Sequence, residues 1–229
     1  MTRGTFYAVG VGPGDPELLT VKAINTIKSC PVIAVPKSGA SENIALKIAG
    51  SYITDKELLE CEMPMIKDKA ELDKYHDLAA EKIGAVLDRG KDVAFLTLGD
   101  PAVYSTVMYV HRRLTERGYD TAMVPGIPSF CGAAASLNTS LCERDEMLHI
   151  VPATYKGSQA EILEGTKVLM KSGKTIMKLK EQLKDKKAMM VECATMENEK
   201  VYKDLNDLAE QSGYFSLIVI PSEERQKEN

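Results

Sequence analysis

The 229-residue sequence has no basic tract and no cluster of Lys and Arg interleaved with aromatics. With a formal net charge of −4, that absence argues against a general nucleic-acid binder. There is no CxxC pair, and the five cysteines, Cys30, Cys61, Cys131, Cys142 and Cys193, are odd in number. A disulfide framework is therefore not expected, whereas a reducing, cytoplasmic setting is. The first residues show no signal-peptide pattern. The longest uncharged stretch, 121–142, has the length of a membrane span, but Pro125, Gly126, Pro128, Ser129, Gly132, Asn138 and Thr139 interrupt it. It reads as a loop followed by a buried helix of small residues, so no membrane association is expected. There is no internal repeat, no low-complexity segment and no metal-ligand spacing, so no metal site is expected.

What the chain does have is an alternation of strand and helix patterns. A chain this long has room for one large α/β domain or two of roughly 110 residues. Apolar, β-branched runs predict strands at 5–11, 31–35, 93–98 and 121–124. Helical spacing predicts helices at 18–28, 68–87 and 103–116; in the second, Leu72, Tyr75, Ala79, Ile83 and Val86 form one stripe. Such alternation implies a parallel sheet covered on both faces. After Pro125 the units shorten, with strands at 147–151, 167–170, 188–192 and 215–220 and helices at 129–137, 159–164 and 175–183. The expected domains are 1–124 and 125–229, and the polar tail 223–229 is expected to fray.

Three loops carry the functional signal. The first is Gly10-Val11-Gly12-Pro13-Gly14-Asp15-Pro16-Glu17, placed after a strand, where α/β sheets bind ligands. It is no dinucleotide fingerprint: a proline interrupts it, and no acid ends the second strand about 20 residues on. Nor is it a Walker A loop, and Pro13 removes an N–H that a phosphate cradle would use. Asp15 suits an N-cap, Pro16 the first helical position and Glu17 the first turn. The same grammar returns in Leu98-Gly99-Asp100-Pro101-Ala102-Val103-Tyr104. A carboxylate that occupies a helix N-terminus disfavours phosphate and suits a neutral or cationic ligand. The third loop, Pro125-Gly126-Ile127-Pro128-Ser129-Phe130, opens a helix of small residues that lets a neighbour approach closely. Each loop also reads as plain architecture: a capped βα turn in the first two, tight packing in the third.

In this order the three loops resemble the tetrapyrrole (corrin/porphyrin) methyltransferase family, from Gly4 to about Pro221. The matching elements are Gly10-Val-Gly-Pro-Gly-Asp-Pro-Glu-Leu-Leu-Thr20, Gly99-Asp100-Pro101 and Pro125-Gly-Ile-Pro-Ser129. Within the family the chain looks most like the cobalamin-pathway members that methylate C-20 of the macrocycle. The runs carrying that likeness are Thr97-Leu-Gly-Asp-Pro-Ala-Val-Tyr-Ser-Thr106, Pro125-Gly-Ile-Pro-Ser-Phe-Cys131 and Leu148-His-Ile-Val-Pro-Ala-Thr154.

The resemblance implies a homodimeric enzyme of two α/β domains, the N-terminal sheet mostly parallel and the C-terminal sheet mixed. S-adenosylmethionine would bind in the cleft between them and leave as S-adenosylhomocysteine. By position the cofactor-binding residues are Pro13, Gly99, Asp100, Val103, Ser129, Phe130, Met170 and Ala194. The substrate would be cobalt-factor II (cobalt-precorrin-2). The alternatives are metal-free precorrin-2, another ring position, or a non-catalytic tetrapyrrole-binding module. The ring supplies its own nucleophilic carbon, so positioning dominates and a strong base is not required. Tyr104, Tyr155 and His149 are candidates to orient the ring or move a proton, although buried tyrosines are commonly structural. His76 reads as structural and His111 as a surface or capping residue. Lys37, Arg144 and Lys156 are candidates to meet substrate carboxylates, which predicts a locally basic cleft on an acidic protein.

Overall fold

The computed structural model of the protein describes residues 2–38, 43–153 and 163–228. Tyr155, Lys156 and, up to residue 162, the helix expected at 159–164 lie outside them. The chain divides into two compact units, Met1–Pro128 and Ser129–Asn229.

The first unit is built on five parallel strands: β1 (Phe6–Gly10), β2 (Val32–Lys37), β3 (Glu57–Glu62), β4 (Val93–Thr97) and β5 (Thr121–Val124). Their order is β3-β2-β4-β1-β5. Because side chains alternate along a strand, Phe6, Ala8, Val32, Ala34, Val93 and Phe95 share one face, under helices α3 (Lys69–Leu87) and α4 (Val107–Glu116). Val9, Ile33, Val35, Ala94 and Leu96 share the other, under α1 (Val21–Ser29) and α2 (Ile44–Ala49). Both faces are covered, as the alternation implies. Two elements were not expected. β3 reads Glu-Leu-Leu-Glu-Cys-Glu and buries only Cys61 fully, the pattern of a charged edge strand. The short α2 is started by Asn43, whose side chain accepts from the N–H groups of Ala45 and Leu46.

Helices α3 and α4 are tied by Arg113, which donates to Asp77 (2.6 Å) and Asp73 (2.9 Å). Beside this network His76 is buried and stacks flat on Tyr109, with ring centroids 4.6 Å apart. Neither ring nitrogen has a hydrogen-bond partner among the described residues; Nδ1 lies 3.9 Å from Asp73. Burial, reinforced by the Arg113 charge and opposed by Asp73 and Asp77, holds its pKa below the usual value of 6.5. The unfolded chain therefore takes up this proton first on acidification. The His76 contribution to stability is complete above pH 6.5 and falls as pH drops from there through the folded value. His76→Phe keeps the stack and removes both nitrogens. Its urea midpoint should change less between pH 7.5 and pH 5 than that of the wild type; equal changes would show that His76 is not the group responsible. His111, read as a surface or capping residue, is half-buried, with its ring edge-on to Phe6 at 6.2 Å, and burial lowers its pKa.

The second unit carries a mixed sheet of order β6-β7-β10-β8-β9. Its strands are β6 (Leu148–Pro152), β7 (Thr166–Met170), β8 (Met189–Glu192), β9 (Lys200–Tyr202) and β10 (Ser216–Ile220). β6 and β7 run parallel, and the other pairs are antiparallel. Its core holds Leu169, Ile176, Leu179, Met190 and Ile218, with α6 (Ile176–Gln182) on that face. Helix α5 (Ser129–Leu137) packs on β8. The tail does not fray as expected: Glu223–Glu228 is a helix, α7. Arg225 anchors it, donating to the Ser140 carbonyl (2.9 Å) and the Thr139 hydroxyl (3.2 Å). Among the described residues no helix is long and apolar enough to cross a membrane.

Candidate functional site

In the first unit, β1, β4 and β5 are neighbours, so the loops that follow them leave one end of the sheet side by side. Pairing continues beyond the strands. Val11 N–H donates to the Thr97 carbonyl (2.9 Å), and Gly12 and Gly99 exchange two backbone hydrogen bonds of 3.2 and 2.7 Å. Gly12 and Gly99 take left-handed backbones, φ 81° and 72°, which a Cβ would oppose. The third loop is docked by Asp100, whose Oδ2 accepts from Gly126 N–H (3.0 Å) while Oδ1 accepts from Ala102 N–H (2.8 Å). Thr20 adds a bond from its hydroxyl to the Pro125 carbonyl (3.4 Å).

The Gly-Asp-Pro segments do not begin α-helices as expected. Asp15 accepts from Glu17 N–H and caps a single 3-10 turn, Pro16–Leu18; α1 starts later, capped by the Thr20 hydroxyl on Ala23 N–H (3.1 Å). After Asp100 the chain makes a turn closed by Val103 N–H on the Asp100 carbonyl, and α4 begins only at Val107. The physical reason is shared chemistry: an Asx side chain followed by Pro closes a tight turn as well as it opens a helix. The two carboxylates thus hold turns, not helix N-termini.

Pro13 and Gly99 are buried and Val103 is half-buried at this end. Tyr104 is not a buried stripe residue: it is 48% exposed, with φ 50°, in the turn before α4. Lys37 ends β2 at the same end of the sheet, but it is ion-paired with Glu60 of β3, which raises its pKa. The three loops themselves, 10–17, 98–104 and 125–130, hold carboxylates and uncharged side chains and no Lys or Arg, which fits a ligand that brings its own positive charge and hydroxyl or amine donors.

The second unit places its candidates at one sheet end as well. β7 and β8 both run antiparallel to β10, so Met170, which ends β7, and Ala194, just past β8, leave the same edge. Both are buried. Ser129 and Phe130 open α5 and are half-buried. Lys171 (φ 61°), Cys193 (φ 53°) and Thr195 (φ 64°) gather left-handed, non-glycine backbone at this edge, where strain marks a constrained conformation. Arg144 is exposed on a loop with φ 50°. His149 sits on β6, and its Nε2–H donates to the Glu164 carbonyl (2.8 Å). Among the described residues no group of three His, Cys, Asp or Glu side chains could hold a metal.

Two features at these edges escaped sequence reasoning. One is the mutual packing of Gly10, Gly99 and Gly126: a Cβ on Gly10 would meet Gly126 N and Gly99 O at 2.6 Å, and one on Gly126 would meet Gly99 O at 2.2 Å. A glycine at the end of each of three strands was the available signal. The other is Glu199, which no local motif marks.

A parallel α/β unit with three interlocked Gly-rich loops, joined to a mixed-sheet α/β unit, is the architecture of a known enzyme class. A family model, Tetrapyrrole (Corrin/Porphyrin) Methylases, matches residues 5–209. The chain belongs to that family. It is 38% identical to the probable cobalt-precorrin-2 C(20)-methyltransferase of Methanocaldococcus jannaschii, across 93% of this chain and 94% of the relative. It is 31% identical to the precorrin-2 C(20)-methyltransferase of a Sinorhizobium species, across 95% of each. Among solved structures, the uroporphyrin III C-methyl transferase of Thermus thermophilus matches with a TM-score of 0.69 at 22% identity, covering 94% of this chain and 97% of that one.

Proposed function

We propose that the protein is an S-adenosylmethionine-dependent methyltransferase that methylates C-20 of a cobalamin-pathway tetrapyrrole, with cobalt-factor II (cobalt-precorrin-2) as its substrate. The carrying observation is the set of three loops locked by Asp100, Gly126 and the Gly12–Gly99 pair, whose own residues include the Asp15 and Asp100 carboxylates and no Lys or Arg. Relatives named for C-20 methylation, matched over nearly their whole length, support the position on the ring.

When bound, S-adenosylmethionine supplies a methyl group on a sulfonium. Pro13, Gly99, Asp100, Val103, Ser129, Phe130, Met170 and Ala194 are the residues assigned to hold it. Asp100 offers carboxylate lone pairs beyond those its two N–H partners use. Pro13 and Val103 supply apolar side chains at the sheet end of the first unit that would help to exclude water, which favours a step in which charge is lost. Lys37, Arg144 and Lys156 are assigned to the macrocycle carboxylates. The active form is a cytoplasmic homodimer.

Calorimetric titration with S-adenosylhomocysteine should give a micromolar or tighter constant, and a flat titration would remove the proposal. Labelled S-adenosylmethionine offered with each of the cobalt-bearing and metal-free substrates should transfer label to C-20 of the cobalt form, read by mass and carbon-13 position. Transfer to the metal-free form alone would reassign the substrate. Cofactor binding with no transfer to either would leave a binding module.

A further inference from the structure

Ala194 lies between two residues that L-amino acids rarely place where they are. Cys193 has φ 53° and Thr195 φ 64°, and a β-branched residue in the left-handed region needs surroundings that hold it there. Several bonds do so: Cys193 N–H donates to the Phe215 carbonyl, Met196 N–H to the Cys193 carbonyl, and the Asn198 amide reaches the Cys193 sulfur. The Thr195 backbone is itself held, its N–H donating to Glu199 Oε1 (2.5 Å). The same oxygen accepts from the Ser136 hydroxyl on α5 (2.6 Å). One half-buried carboxylate oxygen therefore joins the strained turn that carries Ala194 to the helix that begins with Ser129 and Phe130.

We propose that Glu199 is a positioning residue for cofactor binding, fixing the Ala194 turn and α5 in one arrangement through Oε1. This rests on the cofactor assignment above. An ionised acceptor taking two short bonds is stronger than a neutral one, but the geometry asks only for an acceptor at that distance. Gln supplies one at the same reach; Asp keeps the charge and is one methylene short.

The test is calorimetric binding of S-adenosylhomocysteine to the full chain carrying Glu199→Gln, Glu199→Asp or Glu199→Ala, with melting curves run in parallel. Gln should bind within about threefold of the wild type, while Asp and Ala should bind about tenfold more weakly. KM for S-adenosylmethionine should rise with the dissociation constant while kcat changes less. Thr195→Gly adopts the left-handed backbone without strain, so Glu199→Asp/Thr195→Gly should recover part of the loss. If Ala does not fold, Asp alone decides. Asp binding like the wild type, or Gln as weak as Ala, overturns the proposal. A wild type that does not bind removes the cofactor assignment instead.

Discussion

Gly126→Ala is expected to destabilise the first unit by about 3 kcal/mol or more, one of the largest single-site losses available to this chain. The added Cβ would stand 2.2 Å from Gly99 O and 2.8 to 2.9 Å from Gly10 C and Cα. All three are backbone atoms at the ends of hydrogen-bonded strands, so no side chain can swing away. Relief would require parting the loops after β1, β4 and β5, with loss of the Asp100–Gly126 bond. Gly118→Ala is the contrasting control. Its φ is 77° but nothing lies within 4 Å of a new Cβ, so only backbone strain of about 1–2 kcal/mol applies. Urea denaturation of the two variants should separate them clearly. If Gly126→Ala loses no more than Gly118→Ala, the glycine packing does not hold the loops together.

That packing also shows where sequence reasoning reached and where it stopped. β1 and β4 were legible because a strand buried on both faces must be an apolar run; β5, an edge strand in which only Val124 is fully buried, was legible from its short run ending at Pro125-Gly126. β3 was not legible, since an edge strand with Glu57, Glu60 and Glu62 turned to solvent looks like a loop. The Gly-Asp-Pro segments were legible as capped turns, but their role was misplaced. Local chemistry cannot tell a 3-10 turn from a helix start: the cap of α1 lies further on, at Thr20, and α4 starts after Thr106, whose side chain makes no capping bond. Glu199 was invisible because its partners, Thr195 and Ser136, come together only through packing of α5 on β8. His76 lies on or beside the stripe of Leu72, Tyr75, Ala79, Ile83 and Val86, and is buried with the last three, as its structural reading implies. The buried face of α3 is wider than that stripe: Ala80, Gly84 and Leu87 are buried as well, while Leu72 and Tyr75 are only half-buried.

Asp100→Ala is expected to weaken S-adenosylhomocysteine binding tenfold or more while lowering stability by about 1–3 kcal/mol. The stability loss follows from Gly126 N–H, which is half-buried and would lose the Asp100 carboxylate as its acceptor; Ala102 is exposed and its N–H can turn to water. The binding loss follows if the carboxylate also meets the ligand, since a hydrogen bond to a charged group contributes about 1.5–3 kcal/mol. Asp100→Asn separates the two roles. Its one carbonyl oxygen can satisfy either Gly126 N–H or Ala102 N–H, and its amide then faces the other donor. Stability should fall less than in the Ala variant, while binding should fall about as far if the ligand needs the charge and both acceptors. Melting curves show whether each variant is folded at the titration temperature. If Asp100→Asn loses stability but binds like the wild type, Asp100 serves only to hold the third loop against the second, and the acceptor for the ligand must come from the backbone of Gly99 or Val103.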